Sequence, residues 1–205
     1  MLKNIFDMEN PVMRAMGIAA DLLILNALTV LCCLPVLTAG AAYTALNDVA
    51  IRIVRGDDPY PVRTYFRSFR RNLKQGSALG MIFLLAAAIL IVDGQVAAAS
   101  APALRVFTIA AAIVILAVAI YAFALLARYE NTLWGTIKNA AALSVGFFPR
   151  TVGMLAVIIG FWFLSARFVQ YLMPLILMFG LSLPCYVCAL LYDHIFQVME
   201  RQREI

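Results

Sequence analysis

The stretch DPYPVRTYFRSFRRNLK, residues 58–74, is the longest polar passage between the apolar segments of this chain. On a helix with about 100° per residue, its apolar side chains share one sector: Val62, Tyr65, Phe66, Phe69 and Leu73. The cationic side chains fill the adjoining sector: Arg63, Arg67, Arg70, Arg71 and Lys74. An aromatic face beside an arginine face is typical of a helix that lies in a membrane surface. The pattern therefore predicts an interfacial helix over residues 61–75.

The composition indicates a membrane protein. Of the 205 residues, 64% are hydrophobic and only 13% are charged, whereas a soluble domain usually has about 25% charged residues. The net charge of +5 comes from basic residues in short passages between apolar segments, so it does not indicate nucleic-acid binding. We predict an all-α polytopic membrane protein that forms one integral membrane domain, residues 1–205.

Apolar runs of bilayer-spanning length divide the chain into five predicted spans. They cover residues 12–37, 77–93, 103–127, 150–167 and 171–192. A second amphipathic, interfacial helix is predicted over residues 132–145, with Thr132 as its N-cap. Pro35 is expected to break the end of the first span. The small residues that follow, among them Ala41 and Ala45, favour close helix packing over a pore or binding cleft.

The distribution of Lys and Arg predicts which side of the membrane each loop occupies. With five spans, one side collects twelve of these residues: Arg52, Arg55, Arg63, Arg67, Arg70, Arg71, Lys74, Arg128, Lys138, Arg150, Arg201 and Arg203. The other side collects Lys3, Arg14, Arg105 and Arg167. We predict a bacterial cell-membrane protein with its N-terminus outside, and its C-terminus and both long loops in the cytoplasm.

The first span carries three polar residues that a lipid-facing helix disfavours: Asp21, Asn26 and Thr29. An ionisable group inside a span is a functional candidate by default. Arg105 and Arg167 are expected near the same outer side, so a structural ion pair with Asp21 is the main interpretation. A proton-linked or substrate-linked role for this intramembrane polar site is the alternative.

The sequence offers little support for catalysis or metal binding. Cys32, Cys33, Cys185 and Cys188 all lie in apolar segments, where cysteine is most simply a small packing residue. A four-thiolate metal site is a remote alternative. His194 is the single histidine, and the chain has neither a Gly-x-Ser-x-Gly elbow nor a P-loop. We therefore expect no enzyme activity, no cofactor and no metal.

Two passages resemble the YesL-like family of small bacterial membrane proteins, whose domain has no known function. They are residues 35–46, PVLTAGAAYTAL, and residues 66–75, FRSFRRNLKQ. The resemblance covers roughly the first 80 residues and marks six positions without assigned roles: Pro35, Thr38, Gly40, Phe66, Phe69 and Asn72. Members of that family are often found beside sugar-uptake ABC transporters and polysaccharide-degrading enzymes. The resemblance thus implies an accessory role in carbohydrate uptake and no catalytic residues.

Two hypotheses of function follow. The first is a non-enzymatic accessory protein, in which the basic helix anchors to the anionic inner leaflet or docks a partner such as a sugar ABC transporter or another membrane subunit. The candidate docking residues are Arg63, Phe66, Arg67, Phe69, Arg70, Arg71, Asn72 and Lys74. The alternative is a small transporter or channel that uses the polar residues of the first span. A continuous water-filled path along those residues would favour the transporter or channel. Close packing of other side chains against them would favour the accessory protein.

Overall fold

The structure is a computed structural model that describes residues 11–57, 60–99, 102–129 and 132–203. These residues are almost entirely helical and contain no strand, which confirms the all-α prediction. The helices are α1 (Pro11–Cys33), α2 (Ala39–Arg55), α3 (Pro61–Ala99), α4 (Pro102–Arg128), α5 (Leu133–Gly146), α6 (Phe148–Arg167), α7 (Val169–Phe179) and α8 (Ser182–Arg203). A short 3-10 helix, Val36–Thr38, joins α1 to α2. The N-terminal decapeptide and Asp58, with which the quoted stretch begins, lie outside the described residues.

Four of the described helices are long and apolar enough to cross a membrane: Met13–Cys33, Pro61–Gln95, Ala103–Arg128 and Phe148–Arg167. The predicted continuous fifth span, residues 171–192, is wrong, because a turn at Gly180 divides it into α7 and α8. A side chain at Gly180 would lie 2.4 Å from the Ile176 carbonyl oxygen. The α7 segment has only 11 residues, about 16 Å of helix, which is too short to cross a bilayer.

The basic segment at residues 61–75 is the start of α3 and not a separate interfacial helix. α3 continues without a break through Gly76 into the predicted second span and has 39 residues, a length of about 58 Å. The predicted helix is therefore present, but as the first part of a longer helix. That longer helix is long and apolar enough to cross a membrane, so the segment is not the separate surface helix that the sequence predicts.

Helix α2 lies at the centre of the fold, in contact with α1, α3, α4 and α8. Its closest neighbour is α3, because glycines on both helices let the two backbones approach. A Cβ added to Gly40 would lie 2.1 Å from the Gly76 carbonyl oxygen and 2.7 Å from the Gly80 Cα. Ala41 and Ala45 are fully buried in the same contact. The small residues after Pro35 thus serve tight packing, as the sequence indicates.

The later part of α3 and the earlier part of α4 have apolar surfaces that no other described helix covers. The large exposed side chains are Ile82, Leu84, Leu85, Ile89, Ile91, Val92, Leu104, Val106, Phe107, Ile109, Ile113 and Val114. By contrast, residues 120–127 of α4 are all buried against the rest of the protein. A contiguous apolar surface of this size is incompatible with water and fits lipid.

The direction of α1 bears on the predicted placement of the chain ends. Ile18 and Leu22 line a groove with Leu183 and Tyr186 of α8, whereas Asn26, one turn later, contacts the start of α8. α1 and α8 therefore run antiparallel, and the start of α1 and the end of α8 point toward the same end of the bundle. This arrangement does not fit the five crossings from which the sequence places the termini on opposite sides.

Candidate functional site

The described residues place a cluster of hydrogen-bonded polar side chains around the second half of α2. Asp48 is nearly buried and accepts hydrogen bonds from two arginines: Arg52 Nε at 3.0 Å and Arg71 Nη2 at 3.3 Å. The same Arg71 nitrogen donates to the Ala127 carbonyl oxygen at 2.9 Å. One carboxylate and one guanidinium thus connect α2, α3 and the end of α4.

Two further contacts join α2 to α8. The hydroxyl of Tyr192 donates to Asn47 Oδ1, and Asn47 Nδ2 donates to the Tyr43 carbonyl oxygen at 2.9 Å. Arg55 Nε donates to the Asp193 carboxylate and forms an ion pair with it. We call these seven residues the α2 polar cluster: Asn47, Asp48, Arg52, Arg55, Arg71, Tyr192 and Asp193. Its hydrogen bonds and ion pairs link α2 to α3 and α8, and Arg71 extends the links to the end of α4. The cluster therefore holds these helices in register.

The inward face of α3 differs from the apolar face that the sequence predicts. Tyr65, Ser68 and Asn72 are buried, and the same helical row continues to Gly76 and Leu79. The other residues of the predicted apolar face lie further out: Val62, Phe66 and Leu73 are exposed, and Phe69 is half-buried. Gly76 and Gly80 let α3 approach α2, and Val62, Phe66 and Leu73 are turned away from the core.

The cationic face of α3 borders two separate concavities. The first, which we call the arginine patch, has a volume of about 510 Å³ and is lined by Arg63, Phe66, Arg67 and Arg70. The second, the basic groove, has a volume of about 760 Å³ and lies between α3 and the end of α4. It is lined by Arg70, Arg71, Asn72, Leu73, Lys74, Gln75, Leu126, Ala127, Arg128 and Tyr129. The predicted docking residues are thus brought together, except for Phe69, which stacks on Tyr65.

Two polar residues of the first span make hydrogen bonds inside the protein. Asn26 is buried, and its Oδ1 accepts from the backbone N–H groups of Leu181 at 2.9 Å and Ser182 at 3.3 Å. This side chain therefore caps the start of α8, across the turn that divides the predicted fifth span. Thr29 is also buried, and its hydroxyl donates to the Leu25 carbonyl oxygen at 2.7 Å. Both residues have a structural role in this arrangement.

The other residues of the predicted intramembrane site lie on separate helices. Asp21 is half-buried on α1, while Arg105 and Arg167 are exposed at the start of α4 and the end of α6. The main packing partners of α1 are α2, α3, α7 and α8, not α4 or α6. The structure therefore does not assemble the five predicted residues into one site. An apolar groove of about 910 Å³ does include Asn26, together with Ser165 and residues of α7.

The cysteines remain unpaired, and the part of the chain that the structure describes brings no three His, Cys, Asp or Glu side chains together in a metal-binding group. Cys185 and Cys188 are buried, whereas Cys32 and Cys33 are half-buried on another helix. The four-thiolate arrangement is therefore not formed.

Sequence reasoning missed most of the α2 polar cluster because it predicts helix packing for the small residues after Pro35 but assigns no element to residues 47–57. A signal was present: residues 39–46 have no charged or amide side chain, whereas residues 47–55 have four. The spacing of Asp48 and Arg52 by four residues is that of a helical ion pair. Partners distant in sequence, such as Tyr192 and Asp193, leave no local signal.

The positions that carry the family resemblance have visible roles in the structure. Thr38 donates through its hydroxyl to the Cys32 carbonyl oxygen at 2.7 Å and to that of Pro35 at 2.8 Å, which fixes the turn between α1 and α2. Gly40 permits the backbone contact with α3. Asn72 donates to the Ser68 carbonyl oxygen at 3.1 Å. Thus Gly40 serves the α2–α3 contact, Thr38 serves the turn before α2, and Asn72 is buried, while Phe66 remains exposed.

Comparison with known proteins agrees with the resemblance over the same region. No curated protein and no solved structure matches the chain. The family model described as a protein of unknown function, DUF624, matches residues 22–94, from within α1 to late in α3. Over these residues the chain is similar to DUF624, which is the family of YesL-like proteins.

Proposed function

We propose that this protein is a non-enzymatic accessory protein of the bacterial cell membrane that docks a partner through the arginine patch. The observation that carries the proposal is the contrast within α3: Asn72 is buried and Arg71 donates to Asp48 and to the Ala127 carbonyl oxygen, whereas Arg63 and Arg67 are exposed. Neither Arg63 nor Arg67 has an ion-pair partner among the described residues. These two cations are therefore available to an external ligand.

The chemistry of the arginine patch suits an acidic protein surface. Phe66, which is 43% exposed, lies between the arginines on a helix that is fixed to the core along its other face. Arginine and aromatic residues are enriched in protein interfaces and often dominate their binding energy. A partner that supplies carboxylates to Arg63 and Arg67 and an apolar contact to Phe66 would use all three side chains.

The proposed biological context is carbohydrate uptake, with a sugar ABC transporter or a related membrane subunit as the partner. What supports this context is the family resemblance, since such proteins are often found beside sugar transporters. What disfavours the alternative, a transporter built on the first span, is that Asn26 and Thr29 hydrogen-bond within the protein. The groove that includes Asn26 is lined mainly by apolar residues, which also disfavours a wet path.

We further propose that the end of the bundle that carries the arginine patch faces the cytoplasm. The Lys/Arg rule favours this side, because the end of α2 carries two arginines, the start of α3 carries five cations and the end of α4 carries Arg128. The start of α1 and the end of α8 would then both lie in the cytoplasm. Only the placement of the N-terminus changes relative to the sequence prediction.

The test is co-purification from native membranes, followed by mass spectrometry. The variant Arg63→Gln/Arg67→Gln should fold normally and lose most of the partner that accompanies the wild-type protein. The matched control is Arg105→Gln/Arg167→Gln, which removes two exposed arginines from other helices and should keep the partner. Equal recovery of the partner with both variants would contradict the proposal, as would co-purification of proteins unrelated to sugar uptake.

A further inference from the structure

The basic groove lies at the boundary between the polar and the apolar parts of two helices. On α3 the last cation, Lys74, is followed by an uncharged stretch that reaches Asp93. On α4 an equally apolar stretch ends at Arg128 and is followed by Tyr129. The groove is lined by residues from both junctions. In a membrane, the lipid phosphates lie at this boundary of the hydrocarbon layer.

The groove has the charge that a phosphate group requires. Arg71 donates hydrogen bonds to Asp48 and to the Ala127 carbonyl oxygen, and these contacts hold its guanidinium in place. They use only part of the five N–H donors of the guanidinium. Arg70 and Lys74 are exposed, and neither has an ion-pair partner among the described residues. One oriented guanidinium beside two available cations is a suitable arrangement for charge-assisted hydrogen bonds to phosphate oxygens.

The apolar surface that continues from the groove determines which phosphate compound fits. Leu73, 38% exposed, borders the groove, and large apolar side chains such as Ile82 are exposed further along α3. A free phosphate would use only the cations. A phospholipid would place its headgroup in the groove and its acyl chains along the apolar surfaces of α3 and α4.

We propose that the basic groove binds the headgroup of an anionic phospholipid as a discrete site. This goes beyond general attraction of a basic helix to an anionic leaflet, because it assigns the headgroup to Arg70, Arg71 and Lys74 and not to Arg63 and Arg67, which line only the neighbouring arginine patch. It is also independent of the proposed partner, since the site is formed by this chain alone.

The experiment measures the thermal unfolding midpoint of the purified full chain in neutral detergent at about 0.15 M salt, where charges further apart than about 8 Å are largely screened. The probes are short-chain phosphatidylglycerol, short-chain phosphatidylcholine and inorganic phosphate. Phosphatidylglycerol should raise the midpoint in a saturable way, because a ligand that binds the folded state stabilises it. The other two probes should not.

Variants then locate the site. Each cation removed near an anionic headgroup should weaken binding about fivefold, so Arg70→Gln/Lys74→Gln should weaken phosphatidylglycerol binding roughly 30-fold. The matched control, Arg63→Gln/Arg67→Gln, should change it by no more than about twofold. If the test pair does not fold, Lys74→Gln alone should give about a fivefold loss.

Three results would overturn the proposal. Equal losses in the two pairs would mean that only the overall positive charge matters. An equal effect of phosphatidylcholine would mean that the anionic headgroup is not recognised, and an equal effect of inorganic phosphate would identify a phosphate site without a lipid.

Discussion

Helix α2 and the first half of α3 both carry several charged residues, but those of α2 bind groups inside the protein and most of those of α3 lie on its surface. On α2, Asp48 and Asn47 face the centre of the fold and bind side chains of α3 and α8. On α3, only Arg71 reaches inward, and Arg63, Arg67, Arg70 and Lys74 remain on the surface. The number of charged residues in a helix therefore does not indicate their role. The role follows from the group to which each charged side chain binds.

The contrast leads to different expectations for mutations. Changes in α2 or in its contact with α3 should reduce stability, because they disturb buried groups. Changes on the outer face of α3 should leave stability intact and affect binding. Four substitutions test this division, in order of decreasing effect on stability.

The largest effect is expected for Gly40→Ala. The new Cβ would lie 2.1 Å from the Gly76 carbonyl oxygen and 2.7 Å from the Gly80 Cα, so the backbones of α2 and α3 would have to separate. We expect a loss of more than about 3 kcal/mol in the free energy of unfolding, which thermal or denaturant unfolding in detergent would measure. Gly160→Ala is the control, because nothing lies within 4 Å of its Cβ. A stable Gly40→Ala variant would disprove the close contact.

A smaller loss is expected for Asp48→Asn. The neutral amide keeps the shape of the carboxylate but loses its charge, which weakens the hydrogen bonds from Arg52 and Arg71. Breaking a fully buried ion pair costs about 3–5 kcal/mol. Since both arginine side chains are partly exposed, we expect about 1–3 kcal/mol. The exposed Asp57→Asn serves as the control, and equal stability of the two variants would show that the α2 polar cluster is not structural.

A local loss is expected for Asn26→Ala. Without the side-chain oxygen, the backbone N–H groups of Leu181 and Ser182 lose their acceptor, at a cost of about 1 kcal/mol. Amide hydrogen exchange should become faster at the start of α8 and remain unchanged in α5. The exposed Asn139→Ala is the control. Faster transport of a solute together with unchanged exchange would instead support the transporter alternative.

The smallest effect on stability is expected for Arg63→Gln/Arg67→Gln. Both side chains are exposed and have no ion-pair partner among the described residues. Surface substitutions of this kind usually change stability by less than about 0.5 kcal/mol. A large drop in the unfolding midpoint would mean that these arginines support the fold, and loss of the partner could then not be assigned to docking.

Much of the fold could be predicted from the sequence because long apolar runs and proline positions are local signals. Pro35 ends the first span, and the small residues after it predict close packing. The division at Gly180 could not be predicted from hydropathy, since residues on both sides of it are apolar. Asn26, which lies 155 positions before Leu181, accepts a hydrogen bond from its backbone N–H and caps the new helix.

The part of the candidate site that depends on local sequence spacing could also be predicted. The arginine sector of residues 61–75 follows from helical spacing alone, and its cations do line two concavities. Helical spacing did not predict which face of α3 is buried. The aromatic residues predict a buried face with Phe66 and Phe69, whereas α3 approaches α2 through Gly76 and Gly80. Backbone proximity, not side-chain hydrophobicity, decides which face of this helix is inside.

Thiol labelling at two positions tests the central contrast most directly. In a variant whose four native cysteines are replaced by alanine, Arg67→Cys would report on the outer face of α3, and Ala50→Cys, fully buried in the wild-type chain, would report on α2. We expect a membrane-impermeant maleimide to label position 67 in inverted membrane vesicles but not in intact cells, and to label position 50 only after unfolding. Labelling of position 67 from outside the cell, or of position 50 in the folded protein, would contradict the account.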